Sequence, residues 1–480
     1  MATATPQSLR IFYSLTLLLS SATYAAVSRA GAAAKFDNLS VHELIISSAH
    51  RQQPPHPSSH HINAAKRSAN ILSLKLYRRH SAAGKSNSGH RHRVTDLILR
   101  DHRRIAALLH RLSPYYRTDD FGSGVVPGLA QGSGEYFVRV GVGSPPKQQF
   151  MVVDSGSDLI WVQCQPCGQC YPQPDPIFDP ALSASFSGVP CSSPVCALLS
   201  SGHSDSAASC SSGRCRYQVS YGDGSYTRGT LALETLTFDD AVVNNVAMGC
   251  GHRNRGLFVG AAGILGLGWG PLSFVGQLGG LAGGVFAYCL PGDGASGGLV
   301  FGRSAAVPEG AVWVPLLRNA RAPSFYYVGL AGLGVGGERL AVAEEEFQMT
   351  EDGDGGTVMD TGTAVTRLPA AAYSALRDGY VAAAAGLPRA PGVSIFDTCY
   401  ALAGYGSVRV PTVAFYFSGG AELTLPARNF LIPVDNGGTF CFAFAPSSSE
   451  LAIIGNIQQE GIQITVDSAN GFLGFGPTTC

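Results

Sequence analysis

Two short segments carry carboxylates in a setting that could do chemistry. Met151-Val-Val-Asp-Ser-Gly-Ser157 is echoed by Thr357-Val-Met-Asp-Thr-Gly-Thr363. Each delivers one aspartate, Asp154 or Asp360, after an apolar run and onto a tight turn. Gly156 and Gly362 let the chain bend where a side chain would clash. The hydroxyls of Ser155, Ser157, Thr361 and Thr363 can serve both the local backbone and the carboxylates. If the two turns face each other, Asp154 meets Asp360, and a close carboxylate pair shares one proton. The ionised member can then activate a water as general base while the protonated member polarises a carbonyl as general acid. Such chemistry needs no metal, no cofactor and no covalent intermediate.

The elements that would position these turns are strands. Tyr136, Val138, Val140 and Val142 alternate with other residues, and Gln149–Val153 starts a second strand after Ser144-Pro-Pro146. Ile462, Ile464 and Val466 alternate again before an Asn470-Gly471 hairpin turn. Each aspartate motif is followed at a distance by an apolar pair and a glycine, Ile264-Leu265-Gly266 and Ile453-Ile454-Gly455. A β-rich lobe thus occurs twice, with a boundary near 305–321. Helices are expected to be few and short, over Pro369–Ala385 and Pro271–Leu278. The 60 glycines and 28 prolines in 480 residues support a turn-rich β protein rather than a helical bundle.

The flanks assign a compartment. Residues 1–26 read as a signal peptide, with Arg10, the apolar run Ile11–Leu19, and small residues at Ala22, Ala25 and Ala26. That run is too short to span a bilayer, and no membrane anchor is expected. All 12 cysteines lie between Cys164 and Cys480, an even set that reads as six disulfides in an oxidising compartment. Cys164, Cys167 and Cys170 have a spacing that could also hold a metal, a reading that the secretory route disfavours. The product is expected outside the cell, in the apoplast, or in the vacuole.

The net charge of zero conceals two opposed halves. Residues 29–120 hold 16 Lys/Arg against 6 Asp/Glu and 10 of the 12 histidines, whereas residues 121–480 hold 16 against 27. In a secreted chain a basic leader is better matched to its own acidic body than to a nucleic acid. Thr95–Leu112 has the pattern of an amphipathic helix with a basic face. It is expected to lie across an acidic cleft, held by several individually weak ion pairs. Gly122–Gly134 reads as a linker and processing region. Asn38-Leu-Ser40 is the only N-glycosylation sequon.

Residues 123–480 resemble the pepsin-like aspartic proteases. More narrowly they resemble the nepenthesin-type plant branch and the group called aspartic protease in guard cell. The resemblance rests on Gly132-Ser-Gly-Glu-Tyr-Phe137, Asp154-Ser-Gly-Ser-Asp-Leu-Ile-Trp161, Tyr221-Gly-Asp-Gly-Ser225, Asp360-Thr-Gly-Thr363 and Ile453-Ile-Gly-Asn456. It implies an all-β, bilobal fold with two pseudo-twofold-related lobes, 123–310 and 311–480, behind an inhibitory and partly disordered prosegment, 27–122. It implies a monomeric aspartic endopeptidase, made as a zymogen and active on polypeptides at acidic pH. Asp154 and Asp360 would be catalytic. Tyr221, Gly222 and Asp223 of a mobile flap would hold the peptide with Gly156, Gly362 and Thr363. Trp161 would hydrogen-bond Tyr221, and Ser155 and Thr361 would tie the two loops together. Ser155 stands where the family more often has threonine, which keeps the hydroxyl and loses a methyl.

The same resemblance implies a cysteine-rich insertion over 164–215. The pairs would be Cys164–Cys167, Cys170–Cys250, Cys191–Cys215, Cys196–Cys210, Cys289–Cys480 and Cys399–Cys441. Two other functions compete. The fold also serves as a non-catalytic binding protein, as in plant xylanase inhibitors, but there an intact aspartate pair is typically missing. Gly263-x-x-Gly-x-Gly268 and Gly332-x-Gly-x-Gly-Gly337 lack the strand–loop–helix context of a nucleotide site.

Overall fold

The computed structural model describes residues 34–50, 72–78, six helical positions between Val94 and Ile105, and 136–477. Excepted are 200–205, 222–224, 240, 257, 259, 293–296 and 303–308, and in 46–50, 73, 77, 78, 206 and 207 only the backbone is described. The expected signal peptide, the processing region, Gly222 and Asp223 lie outside the described residues.

The architecture is all-β and bilobal. One sheet joins the lobes. Its strands run, in spatial order, Val312–Leu317, Phe472–Phe475, Gln463–Asp467, Val285–Cys289 and Gly297–Phe301. Then follow β2 (Leu72–Arg78), β3 (Tyr136–Val142) and β4 (Lys147–Asp154). Alternation in β3 is blurred because almost every residue is buried, with packing on both faces. The Asn470-Gly471 turn forms as expected, with Gly471 at φ +74° linking two paired strands. The expected helices appear as Ala370–Ala383 and Phe274–Leu278. The second starts later than its proline because Ser273 caps it, accepting from the Gly276 N–H.

The repeated motif becomes a repeated three-strand device. Strand β4 ends in Asp154 and runs parallel to Gly263–Gly266, which also pairs with β5 (Trp161–Gln163). In the second lobe Thr357–Met359 leads to Asp360 and runs parallel to Ala452–Ile454. That strand lies antiparallel to Thr366–Leu368. Gly266 and Gly455 are required by this closeness. A Cβ at either position would collide with the carbonyl oxygen of Asp158 or of Ala364, respectively.

The N-terminal leader is woven into this body. Strand β1 (Phe36–Ser40) adds antiparallel to Ser407–Pro411 of the second lobe and is followed by helix α1 (Val41–His50). Strand β2 sits between two strands of the joining sheet, with Leu76 opposite both Gly297 and Val138. Residues 94, 97, 98, 101, 104 and 105 are helical and half-buried or buried. They form one face, spaced by three and four residues. Contact through exposed ion pairs, as read from charge alone, is therefore not what these residues show: the leader contributes a paired strand and a buried helix face.

Four of the expected disulfides are corrected. The pairs are Cys164–Cys250, Cys167–Cys170, Cys191–Cys210 and Cys196–Cys215. Strand β5 runs parallel beside Ala241–Arg255, with Val162 opposite Cys250. Cys164 is thereby brought to Cys250, with Cα atoms 5.3 Å apart. Cys196 and Cys215 are both buried, whereas Cys210 is exposed and Cys191 half-buried, so the pairs sort by depth. Cys399–Cys441 is as expected, on directly opposed strand residues. Cys289 is disulfide-bonded; the expected partner, Cys480, lies outside the described residues. With Cys164, Cys167 and Cys170 all oxidised, no thiolate remains there for a metal.

Candidate active site

The two aspartate turns meet at the junction of the lobes with near-twofold symmetry. The Ser155 N–H donates to Thr361 Oγ1 at 3.0 Å, and the Thr361 N–H donates to Ser155 Oγ at 3.0 Å. Thr361 Oγ1 also donates to the Val153 carbonyl at 3.2 Å. Within each loop the carboxylate is held in the same way. Ser157 Oγ donates to Asp154 Oδ2 at 2.6 Å, and Thr363 Oγ1 to Asp360 Oδ2 at 2.5 Å. The Gly156 and Gly362 N–H groups donate to Oδ1 of Asp154 and Asp360 at 3.0 and 3.1 Å. Both carboxylates are essentially inaccessible to solvent. Fixed donors on both thus replace water, and Oδ1 of each points into the shared space.

Because Ser155 accepts from a buried N–H, its removal has a definite cost. Ser155→Ala is expected to lower stability by about 1–3 kcal/mol, the penalty for an unsatisfied buried donor. Ser155→Thr, which keeps the acceptor, should stay near the parent. Thermal unfolding of the two variants checks this.

Arg104 of the leader occupies the space between the carboxylates. Its Nη2 donates to Asp154 Oδ1 at 2.5 Å and to Asp360 Oδ1 at 2.7 Å, and its Nε to Asp360 Oδ2 at 2.7 Å. One nitrogen therefore bridges both aspartates. Burial alone would push the Asp154 carboxyl up. The Arg104 charge outweighs it, helped by hydrogen bonds from Arg104, Ser157 and the Gly156 N–H, and holds that carboxyl below the usual range.

Trp161 and Tyr221 come together as expected. Trp161 Nε1 donates to the Tyr221 hydroxyl at 2.9 Å, and both rings meet Phe258 edge-on, at 5.1 and 5.3 Å between centroids. Tyr221 stands at the turn of the hairpin made by Arg214–Ser220 and Tyr226–Phe238, closed by Tyr221 N–H to the Ser225 carbonyl at 2.7 Å.

Several contributors were not singled out from sequence. Asp158, within the first motif, is buried and accepts from Ser324 Oγ at 2.6 Å and the Gly270 N–H at 3.0 Å, tying the first loop to the second lobe. Asn456 donates to the Thr361 carbonyl at 2.9 Å from just behind Gly455. Gln459 donates to the Ile454 carbonyl at 2.8 Å and receives the Tyr288 hydroxyl at 2.7 Å. The only signal for these was a place within the quoted motifs, for Asp158 and Asn456, or just after one, for Gln459. Asp101 and Arg367, which form a buried pair beside the second loop, left no such signal.

Comparisons with known proteins fit this geometry. Residues 136–303 match the family model described as xylanase inhibitor N-terminal, and 325–477 match xylanase inhibitor C-terminal. The chain is 59% identical over 434 residues to Protein Aspartic Protease in Guard Cell 2 of Arabidopsis thaliana, covering 88% of this chain and 91% of that protein. It is 41% identical over 366 residues to aspartic proteinase nepenthesin-2 of Nepenthes gracilis, covering 75% and 81%. The solved structure of basic 7S globulin from soybean shares the fold at TM-score 0.60 and 16% identity, over 85% of this chain and 96% of that one. Two lobes, a mirrored pair of aspartate loops and these relatives lead to one assignment: the chain belongs to the pepsin-like aspartic proteases, in their nepenthesin-type plant branch.

Proposed function

We propose that the chain is the zymogen of a secretory aspartic endopeptidase, with Asp154 and Asp360 as its catalytic pair and residues 27–122 as its inhibitory leader. The observation that carries this reading is the Arg104 guanidinium, bonded to both carboxylates where a water would have to sit. When the helix leaves, two carboxylates remain across one small space and share a single proton. A water there gives a proton to the ionised carboxylate as its oxygen bonds to the peptide carbon. The protonated carboxyl passes its proton to the carbonyl oxygen, and a tetrahedral diol forms. Collapse breaks the C–N bond. The nitrogen takes the proton acquired from water, and a diol hydroxyl returns its proton to the other carboxylate.

The hairpin carrying Tyr221 would close over the bound peptide and exclude water. Tyr221→Ala is expected to reduce kcat/KM by roughly 10-fold or more. It should also cost some stability, because Trp161 Nε1 and the Phe258 edge lose their partner. Tyr221→Phe removes only the hydroxyl and separates the two effects. An unchanged kcat/KM in both variants rules out a flap.

A binding-only protein is the second reading, since the matching family models are named for xylanase inhibitors. It leaves both complete carboxylate loops without a task. Incubating the purified chain with a denatured protein at about pH 4, and mapping new termini by mass spectrometry, decides between them. Binding to a xylanase without any new termini would overturn the protease.

A further inference from the structure

A second polar pocket lies one helical turn from the Arg104 clamp. Asp101 of the leader is 3% exposed, and its carboxylate accepts from the Ala364 N–H, from the Val365 N–H at 3.2 Å and from Arg367 Nη2 at 3.2 Å. Ala364 follows the second aspartate loop directly, and Arg367 lies in the strand Thr366–Leu368. Arg367 is itself 3% exposed, and its Nε has no hydrogen-bond partner among the described residues. Apart from Arg104, the neighbouring positions of the same helix face are apolar. Ile98 packs with Ala364, Val365 and Phe396, and Ile105 with Phe325, Tyr327 and Ile453. The only carboxylate on Arg367 among the described ion pairs thus comes from a segment that must leave for the cleft to open. Its departure leaves a guanidinium and two N–H groups without this carboxylate, donors suited to another one.

We propose that Arg367, with the Ala364 and Val365 N–H groups, forms an acid-selecting subsite in the processed enzyme, and that Asp101 is its placeholder in the leader. This rests on the protease reading above. The substrate class is a polypeptide with an aspartate or glutamate close to the scissile bond. Three helical residues rise about 4.5 Å, and an extended peptide rises about 3.3 Å per residue. The acidic side chain is therefore within about two residues of the bond that faces the dyad. Arg367 is a specificity determinant and does not touch the reacting atoms. Its fork suits a carboxylate better than a lysine ammonium would.

The test uses the full chain after removal of its leader by acid or limited trypsin digestion. Peptides of one apolar parent sequence carry Asp, Asn or Ala in turn at each of three positions on either side of the cleaved bond. They are assayed near pH 5, where a free aspartate is ionised. At one position the Asp peptide should exceed its Asn counterpart by roughly 10-fold or more in kcat/KM. In Arg367→Gln that ratio should fall to about one, and in Arg367→Lys it should be partly kept. Each ratio is taken within one protein, so a general loss of activity cancels. Equal rates for Asp and Asn at every position, or an undiminished ratio in Arg367→Gln, overturn the subsite and leave the protease standing. Cleavage of none of the peptides overturns the protease itself, and the subsite with it. If Arg367→Gln does not fold, the parent enzyme's profile still decides.

Discussion

Asp154→Asn and Asp360→Asn are each expected to lower kcat/KM for peptide cleavage by about 10³-fold or more, the scale of lost general acid–base catalysis. Asparagine keeps the shape and can still accept from Gly156 or Gly362 N–H, so the loops should remain folded. It cannot take a proton from water. Residues that act as a unit are non-additive, so the double variant should be little worse than either single one. The parent activity should follow an acidic bell whose two apparent pKa values belong to the pair. Steady-state assays on leader-free protein, with thermal unfolding as the control, measure all of this. Activity within a few-fold of the parent in either variant would end the assignment.

Arg104→Ala should release the block with the leader still attached. Two buried carboxylates would then face each other without a counter-charge, and breaking a buried pair is strongly destabilising, by about 3–5 kcal/mol. The full-length variant is expected to cleave peptides at pH 5–7 at least ten times faster than the full-length parent. Gel analysis must show both chains uncut. Equal latency would place the block elsewhere, for instance in strand β2, which is paired on both edges.

The clamp also sets the sign of the pH response. The Asp154 carboxyl lies below its ordinary value while Arg104 is docked. Its contribution to docking is therefore complete above the ordinary carboxylate value of about 3.9 and is lost as pH falls below it. Asp101 acts in the opposite sense. Burial raises its carboxyl, despite the Arg367 charge and its hydrogen bonds. Proton uptake there favours docking between its ordinary and its raised value. Release of the leader is therefore expected at and below about pH 4 in the parent. It should occur at higher pH in Arg104→Ala. Salt at neutral pH should matter little, since a buried contact is screened far less than exposed pairs.

Read along the chain, the residues encode the paired aspartate turns and their local supports. The Asp-Ser/Thr-Gly-Ser/Thr turns encode their own hydrogen bonds, from residues two and three positions away from each aspartate. Alternating valines set the strands, and paired glycines mark where chains must touch. Such information is short-range, so it survives reading along the chain. Tertiary structure alone decided what lies between distant segments. Charge counting put a basic helix over an acidic cleft, but only packing selected Arg104 for the dyad and gave Asp101, an acidic residue in a basic leader, to Arg367. The disulfides failed for the same reason. Cys164 meets Cys250 because β5 lies parallel to a strand some eighty residues away, with a sequence separation of 86. Cys196 takes Cys215 because both face the core. Spacing along a chain carries no record of which buried face two segments will share, and that face is fixed only when the sheet closes.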